Sequence, residues 1–294
     1  MPLTRTPRAA AAPAPDAAGI DARDPVALDV RGLRKTYEST QRTVEAIHDL
    51  SFGIRRGELV CVVGPSGAGK TTLLRCIAGL LGATAGQVLL DGEPVTGPPA
   101  GMAVVFQEYG RSLFPWLTVA QNVELPLKEK KLSRAARKQA VADALAAVGL
   151  ADSHASHPWQ LSGGMQQRVA IARAVAYEPT VLLMDEPFAA VDAQTRAELE
   201  DLVRSLWERL GVTVVFVTHD IDEAVYLGER VLVLSARPTV LVEDVLIDLP
   251  RERDQLTTRS TRRFGELRGH VYALIQQAKQ GRRPAPSDGT EDGS

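Results

Sequence analysis

The 294-residue sequence has few aromatic residues, two cysteines and no strong excess of charge of either sign. Its 34 Lys and Arg residues against 36 Asp and Glu residues give a formal net charge of -2, which argues against a strongly basic nucleic-acid-binding surface. No apolar run approaches the roughly 20 residues that a membrane-spanning helix needs. The remaining composition, 45% hydrophobic and 24% charged, is ordinary for a globular protein with a sizeable core.

Two local features bear on the cellular compartment. Cys61, in LVCVV, and Cys76, in LLRCIAGLL, lie in apolar segments and are predicted to be small buried side chains rather than a disulfide framework. This use of cysteine is consistent with a reduced, cytoplasmic setting. Residues 1–25 are rich in alanine and proline and lack a continuous apolar core, which predicts a disordered N-terminal tail and not a signal peptide.

Short apolar segments alternate with helical patterns along the chain. VALDV and the region Val44–Ile54 are strand-like, and four further runs, ELVCVVG, GMAVVFQ, TVLLMDEP and TVVFVTHD, are typical of strands buried on both faces of a parallel sheet. Two apolar stripes at helical spacing lie between them. They consist of Leu73, Leu74, Ile77, Leu80 and Leu81, and of Leu199, Leu202, Val203, Leu206 and Leu210. This alternation predicts an α/β fold.

Three regions are predicted along the ordered chain. The α/β domain covers residues 26–236, and its segment from about 110 to 176 lacks convincing strands and is expected to form an inserted helical subdomain. Within that segment Ser133 is predicted to cap a helix and Gly149 to end it. Residues 237–294 are predicted to be a short C-terminal extension with a polar tail and one amphipathic helix, formed by Phe264, Leu267, Val271, Leu274 and Ile275.

The segment GPSGAGKT matches the phosphate-loop pattern and lies between an apolar strand and a helix, as that motif requires. Glycines let the backbone wrap phosphates closely, and the helix N-terminus adds favourable partial charge. Lys70 is predicted to reach the β- and γ-phosphates and Thr71 to bind Mg²⁺. The predicted nucleotide-binding residues here are Gly64, Pro65, Ser66, Gly67, Ala68, Gly69, Lys70, Thr71 and Thr72.

The strand VLLMDEP ends in two adjacent carboxylates. In phosphate-loop enzymes a carboxylate at such a strand end helps to hold Mg²⁺, here Asp185. Side chains alternate along a strand, so Glu186 is expected to point elsewhere and to polarise an attacking water. The plain alternative is a solvated acidic turn.

A second glycine-rich helix start, LSGGMQQR, has no lysine to meet phosphate charge. Together with the phosphate loop and VLLMDEP, this segment resembles the ATPase subunits of ATP-binding cassette (ABC) transporters, in which LSGG is the signature motif. The resemblance covers roughly residues 28–236. Met165 stands where glutamine is often found. The resemblance implies a phosphate-loop NTPase core with an antiparallel β subdomain and an inserted helical subdomain, and it implies ATP and Mg²⁺ as ligands.

The resemblance also assigns four single residues. Tyr37 corresponds to the aromatic residue that stacks on adenine, and Gln107 to the Q-loop amide that reaches Mg²⁺ and the attacking water. Asp192 lies in AAVD, the counterpart of the D-loop. The D-loop often begins with serine, and here alanine stands in that place. His219 matches the switch histidine that contacts the γ-phosphate. An ordinary strand tyrosine and a structural histidine are the alternatives.

In this family two cassettes pack head to tail, and each ATP lies between the phosphate loop of one copy and the signature of the other. The resemblance therefore implies that Ser162, Gly163 and Gly164 bind the partner's nucleotide, and that Lys70 of the partner supplies the charge. It implies a homodimer at the cytoplasmic face of the cell membrane, held there by permease subunits that work with an extracytoplasmic solute-binding protein. No nucleic acid partner is expected.

Three segments resemble importers of nitrate, sulfonates and taurine: FQEYGRSLFPWLTVAQNV, VTHDIDEAVYLGERVLVLSARP and IDLPRERD. They predict a small oxoanion or organic anion as cargo. Residues 111–119, RSLFPWLTV, follow the Q-loop and are predicted to contact the permease through Leu113, Phe114, Trp116 and Leu117 around Pro115. A private hydrophobic core for the helical subdomain is the alternative for that segment.

Other classes of protein remain as alternatives. A GTPase switch would need a guanine-reading N-K-x-D or T-K-x-D element, and the sequence has neither. A soluble cassette ATPase of DNA repair or translation commonly carries two cassettes or long coiled coils, whereas this chain has one cassette and no sustained heptads. An importer ATPase for another small solute shares parts of the same patterns.

Overall fold

The computed structural model describes residues 25–38, 42–107 and 112–280. The N-terminal tail predicted for residues 1–25 lies outside these ranges except for Pro25. The polar tail predicted after the last helix also lies outside them.

Ten strands form one sheet in the described part of the chain. The strand order is β5-β4-β1-β2-β10-β9-β3-β8-β7-β6. The strands are β1 (Val26–Glu38), β2 (Thr43–Arg55), β3 (Leu59–Val63), β4 (Ala85–Leu90), β5 (Glu93–Pro94), β6 (Met102–Val105), β7 (Val181–Asp185), β8 (Thr213–Val217), β9 (Arg230–Leu234) and β10 (Thr239–Leu246).

The sheet has an antiparallel part and a parallel part. Strand β1 pairs antiparallel with β2 and β4, whereas β3, β8, β7 and β6 pair parallel in that order. Every residue of β3, β7 and β8 is buried, because helices cover both faces of a parallel sheet. The predicted α/β fold with an antiparallel β subdomain is therefore confirmed.

Seven α-helices are described. They are α1 (Lys70–Ile77), α2 (Val119–Glu124), α3 (Arg134–Ala147), α4 (Gly163–Ala176), α5 (Ala193–Leu210), α6 (Ile221–Leu227) and α7 (Arg262–Lys279). The Ser133 side chain accepts a hydrogen bond from the Ala136 N–H, and Gly149 follows α3 with a φ of 74°, so both predicted ends of this helix are confirmed. Between residues 112 and 176 the structure contains helices α2–α4 and no strand.

Two hydrophobic cores lie on opposite faces of the sheet. Leu59, Cys61 and Val63 of β3 face the core that contains α4–α7, while Val60 and Val62 face the core that contains α1. Both cysteines are buried and free. The five apolar residues predicted for the C-terminal helix are buried in the first of these cores, which attaches α7 to the sheet.

Two features differ from the sequence-based expectation. The apolar stripe through Leu80 and Leu81 is too long, because α1 ends at Ile77 and Leu80 is half exposed. Gly79 turns the chain with a φ of 69°, and a Cβ there would lie 2.2 Å from the Gly97 carbonyl oxygen. Strands β4, β5, β9 and β10 were not expected. Strand β10 pairs with β9 and β2, and the predicted boundary after residue 236 falls in the β9–β10 turn.

None of the described helices combines the length and the apolar character that crossing a bilayer would require.

Candidate active site

The phosphate loop connects the buried end of β3 to the N-terminus of α1. Gly67 and Gly69 adopt left-handed conformations, with φ values of 77° and 75°, that favour glycine. A Cβ on Gly64 would lie 2.9 Å from the carbonyl oxygen of Leu234, so a side chain has no room there. The loop therefore needs each of these glycines for its path.

Lys70 is 6% exposed and lies against the backbone of the loop. Its Nζ donates to the carbonyl oxygens of Gly64 at 3.0 Å and Pro65 at 3.4 Å, and it lies 3.8 Å from Glu186 Oε1. Burial lowers the pKa of Lys70, and the charges of Glu186 and Asp185 oppose that change. The ammonium group thus lies between the loop and the carboxylates at the end of β7.

Asp185 and Thr71 supply two oxygen ligands side by side. Thr71 Oγ1 donates to Asp185 Oδ1 at 3.3 Å, and burial raises the pKa of Asp185 while this hydrogen bond lowers it. Among the described residues, no cluster of three or more His, Cys, Asp or Glu side chains could hold a metal by itself. A hydroxyl with one carboxylate fits Mg²⁺, which binds through few protein ligands plus substrate phosphates and water.

Glu186 is held in an unusual backbone conformation next to His219. Its φ is 43°, which is strained for a residue with a side chain, and its N–H donates to the Val217 carbonyl oxygen at 2.8 Å. Glu186 Oε2 lies 2.9 Å from Nδ1 of His219, whose side chain is 59% exposed. The two residues are thereby brought together from the ends of neighbouring strands β7 and β8.

An open cleft with a volume of about 440 Å³ lies at these strand ends. It contains most of the predicted phosphate-loop residues and both members of the Glu186–His219 pair. Its lining residues are Ser66, Gly67, Ala68, Gly69, Lys70, Thr71, Thr72, Glu186, His219 and Arg237.

Two predicted residues, Tyr37 and Gln107, do not line the cleft. The hydroxyl of Tyr37, which is half exposed, lies 3.2 Å from Thr72 Oγ1 at the start of α1. Gln107 is exposed just after β6, next to β7 at the edge of the parallel sheet.

The signature residues are built into a different surface. Ser162 caps α4 by accepting a hydrogen bond from the Met165 N–H, and Asp192 caps α5 by accepting from Thr195. Hydrogen bonds from Thr195 lower the pKa of Asp192. A Cβ on Gly164 would lie 2.5 Å from Thr195 Cγ2, so Thr195 joins the two caps. Neither the predicted signature residues nor Asp192 belong to the residues that line the cleft.

Sequence patterns missed three side chains around the site. Arg237 Nε donates to the Gly67 carbonyl oxygen at 2.5 Å, and Thr239 Oγ1 donates to that of Ala68 at 2.6 Å. Arg196 lies 3.2 Å from Asp220, the residue after His219. Arg237 lies within the quoted segment VTHDIDEAVYLGERVLVLSARP, but that resemblance assigns it no role, and no motif marks Arg196 or Thr239. The pairing of β9 and β10 brings Arg237 and Thr239 to the loop.

Comparison with known proteins agrees with the family that the motifs indicate. The family model described as ABC transporter matches residues 47–189. The chain is 47% identical over 251 residues to an uncharacterised ABC transporter ATP-binding protein of Methanocaldococcus jannaschii, with 85% of this chain and 92% of that protein covered. It is 44% identical to a nitrate import ATP-binding protein of Synechocystis, with 79% and 87% covered. It is 41% identical to an aliphatic sulfonates import ATP-binding protein of Bacillus cereus, with 86% and 96% covered.

Solved structures share the fold. The dimeric post-hydrolysis structure of the ATP-binding cassette MJ0796, bound to ADP and Pi, matches with a TM-score of 0.67 at 33% identity, covering 76% of this chain and 99% of that one. The cbiO1 protein of Clostridium perfringens, part of an ABC transporter complex, matches with a TM-score of 0.69 at 28% identity, covering 76% and 90%.

Proposed function

Because the chain belongs to the ABC transporter family of ATP-binding proteins, we propose that it hydrolyses ATP to drive uptake of a small oxoanion or organic anion through partner permease subunits. The observation that carries this proposal is the cleft in which the phosphate loop, Lys70, Glu186 and His219 converge. A nucleotide-binding loop beside a paired carboxylate and histidine suits phosphoryl transfer to water.

Within the cleft each group has a distinct part. The N–H groups at the start of α1 and the Lys70 ammonium bind the phosphates. Thr71, Asp185 and Gln107 are the residues that would hold Mg²⁺, which neutralises phosphate charge when bound. Tyr37, beside Thr72, is exposed and available to stack on the base.

Glu186 is the general base of this proposal. Its carboxylate accepts a proton from water as the water oxygen attacks the γ-phosphorus and ADP leaves with the electron pair of the broken P–O bond. Glu186 Oε2 contacts His219, whereas Asp185 Oδ1 accepts from Thr71, so the two acidic residues act on different atoms in this proposal. In this proposal His219, which also lines the cleft, hydrogen-bonds the γ-phosphate.

A second copy of the chain completes each site in this proposal. The surface formed by Ser162, Gly164 and Asp192 lies outside the cleft of its own subunit, and the related MJ0796 cassette is dimeric with ADP and Pi bound. The N-terminus of α4 would then bind phosphate of the partner's nucleotide. ATP bound between two copies favours the closed dimer, and hydrolysis returns it to the open state.

Contact with the permease is proposed for the segment after the Q-loop. Trp116 is 71% exposed and packs on Phe114 with ring centroids 5.3 Å apart, whereas Leu113 is buried in the core. Leu113 therefore belongs to the hydrophobic core of the helical subdomain, as the alternative interpretation of this segment expects. Trp116 does not. Arg111, the first residue of the predicted segment, lies outside the described residues. Through this contact the ATPase would sit at the cytoplasmic face of the membrane.

The cargo class rests on likeness to named importers. Relatives at 44% and 41% identity are named for import of nitrate and of aliphatic sulfonates. We propose an anion of the nitrate, sulfonate or taurine type, delivered by an extracytoplasmic solute-binding protein.

Labelled uptake in a deletion strain tests this function. The strain is complemented with wild type, Glu186→Gln or Trp116→Ala, and nitrate, taurine and alkanesulfonate are compared with an unrelated sugar. Wild type should restore uptake of one of the anions. Glu186→Gln should retain ATP binding and lose about a hundredfold to ten-thousandfold in hydrolysis, because it lacks the proton acceptor. Trp116→Ala should lose uptake and keep basal ATPase activity.

Three outcomes would each contradict a different part of the proposed function. Restored uptake of the sugar alone would overturn the cargo class and leave the ATPase. Wild-type ATP turnover in Glu186→Gln would overturn the role of Glu186. Unchanged uptake with Trp116→Ala would remove Trp116 from the permease contact.

A further inference from the structure

The turn between β9 and β10 packs directly against the phosphate loop. Thr239, fully buried at the start of β10, donates through Oγ1 to the Ala68 carbonyl oxygen. Leu234, at the end of β9, places its carbonyl oxygen against Gly64. The phosphate loop thus has a wall contributed by residues about 170 positions later in the chain.

Hydrogen bonds within the turn fix its shape. Ser235 Oγ donates to the Pro238 carbonyl oxygen at 3.3 Å and accepts from the Val240 N–H at 2.9 Å, while the Ser235 N–H donates to the Val240 carbonyl oxygen at 3.0 Å. Because both ends of the turn continue into paired strands, the Cα of Arg237 is held at a set distance from the loop.

The Arg237 side chain reaches into the cleft and uses only part of its donor capacity. Its Nε donates to the Gly67 carbonyl oxygen at 2.5 Å, and the side chain lines the cleft with Lys70, Glu186 and His219. Within the described ranges, its two Nη groups have no hydrogen-bond acceptor and no carboxylate lies within ion-pair distance of them. A guanidinium has five N–H donors in a planar fork that matches phosphate oxygens.

Apart from Arg237, the residues that line the cleft carry little positive charge. Lys70 is the other lining residue with a permanent positive charge, and its ammonium already contacts two loop carbonyls and lies near Glu186. A nucleoside di- or triphosphate would bring several negative charges to this place. The unpaired Nη groups of Arg237 complement them.

We propose that Arg237 is a nucleotide-binding residue, whose Nη groups donate to phosphate oxygens of the bound nucleotide while Nε stays on Gly67. This inference rests on the proposed function and adds to it a residue from outside the expected motifs. It also makes the β9–β10 turn part of the nucleotide site.

The test separates charge from support of the loop. Arg237→Gln keeps an N–H donor for the Gly67 carbonyl and removes the charge, Arg237→Lys keeps the charge and loses the fork, and Arg237→Ala removes both. Arg262→Ala is the matched control, because Arg262 lies on α7 with a side chain 93% exposed. For each full-length protein, the Kd for ADP is measured by calorimetry at two salt concentrations, and Tm is measured without nucleotide.

Arg237→Ala and Arg237→Gln should raise the Kd for ADP by about tenfold or more, the loss expected for a charge-assisted hydrogen bond. Arg237→Lys should show a smaller rise, and the control should bind as wild type does. The salt dependence of ADP binding should weaken in both uncharged variants. Tm without nucleotide should be unchanged in Arg237→Gln.

Wild-type ADP affinity in Arg237→Gln, with a lowered Tm in Arg237→Ala alone, would overturn the proposal and leave Arg237 as a support for the loop. Unchanged ADP affinity in every variant would also overturn it, whether or not ATP turnover is impaired. A wild-type protein that binds neither ADP nor ATP would refute the proposed function itself, so the two failures are distinguishable.

Discussion

At the scale of single residues, one missing methyl group decides how the signature helix packs. A Cβ on Gly164 would lie 2.5 Å from Cγ2 of Thr195, and Thr195 is held in place by its hydrogen bonds to Asp192. The signature and the D-loop aspartate are therefore mechanically linked through Thr195. Any side chain at residue 164 must move the cap of α5.

Gly164→Ala should lower the free energy of unfolding by about 1–3 kcal/mol through this overlap. Thr195→Ser removes Cγ2 and keeps the hydroxyl for Asp192, so Gly164→Ala should cost little in that background. Urea denaturation of the two single variants and the double variant gives the coupling energy directly. Additive effects of the two changes would show that Thr195 does not set the limit at Gly164.

At the scale of elements, helix α6 is short and is held from outside. Arg253 Nη1 donates to the carbonyl oxygens of Val225, Tyr226 and Gly228 at 3.1, 2.7 and 2.9 Å. These are carbonyls at the C-terminal end of the helix, which lack partners within it. The segment after β10 therefore fixes the helix that directly follows His219.

Glu223 on this helix should make stability depend on pH. It is buried, accepts from Thr218 Oγ1 at 2.5 Å and lies 3.8 Å from Arg196. Burial chiefly raises its pKa to about 7, the Thr218 hydrogen bond and Arg196 lower it, and Glu200 and Asp220 raise it further. The pKa of Glu223 in the folded protein exceeds the unfolded value of 4.5, so folding favours the protonated side chain. The contribution of Glu223 to stability is therefore fully present below pH 4.5 and is lost as the pH rises through 7.

Glu223→Gln should therefore equal wild type in stability near pH 5 and exceed it by on the order of 1–3 kcal/mol at pH 8. Denaturation curves between pH 5 and pH 8 measure this difference. Asp222→Asn, which removes a partly exposed carboxylate of the same helix that is paired with Arg268, is the control and should show no such rise towards pH 8. A Glu223→Gln variant that loses stability towards pH 8 would mean that the ion pair with Arg196 outweighs burial.

At the scale of the whole molecule, the separation of the cleft from the signature surface requires two copies for one complete site. Lys70→Ala disables the phosphate loop. Ser162→Asp keeps a helix-capping residue on α4 and places a negative charge where phosphate would bind, so the fold should be retained. Each variant alone should be inactive as a homodimer.

Mixing the two variants should restore ATP hydrolysis to about one quarter of the wild-type rate, because half of the dimers are mixed and each mixed dimer has one intact site out of two. Steady-state ATPase assays at several mixing ratios measure this recovery. Each variant assayed alone at the same total concentration is the control. No recovery, with mixed dimers shown to form, would contradict a site shared between copies.

Local sequence patterns are enough to predict the contiguous parts of this protein. The phosphate loop, its flanking strand and α1 lie within about 20 consecutive residues, so one contiguous pattern describes them. Buried parallel strands appear as apolar runs because both of their faces are covered. The predicted cap at Ser133 depends on a side chain and an N–H three residues apart, so local spacing is sufficient to find it, and the caps at Ser162 and Asp192 have the same spacing.

Which of these parts meet depends on the order of the strands in the sheet. The order β9-β3-β8-β7 brings His219 to Glu186 and Arg237 to Gly67, across 33 and 170 positions of sequence. Strand β10 escaped prediction because most of its residues are only partly buried and do not alternate in polarity, whereas β9, RVLVL, is a buried apolar run that was overlooked. Such contacts leave no periodic trace in the chain, because they depend on how strands pair and not on how neighbouring residues are spaced.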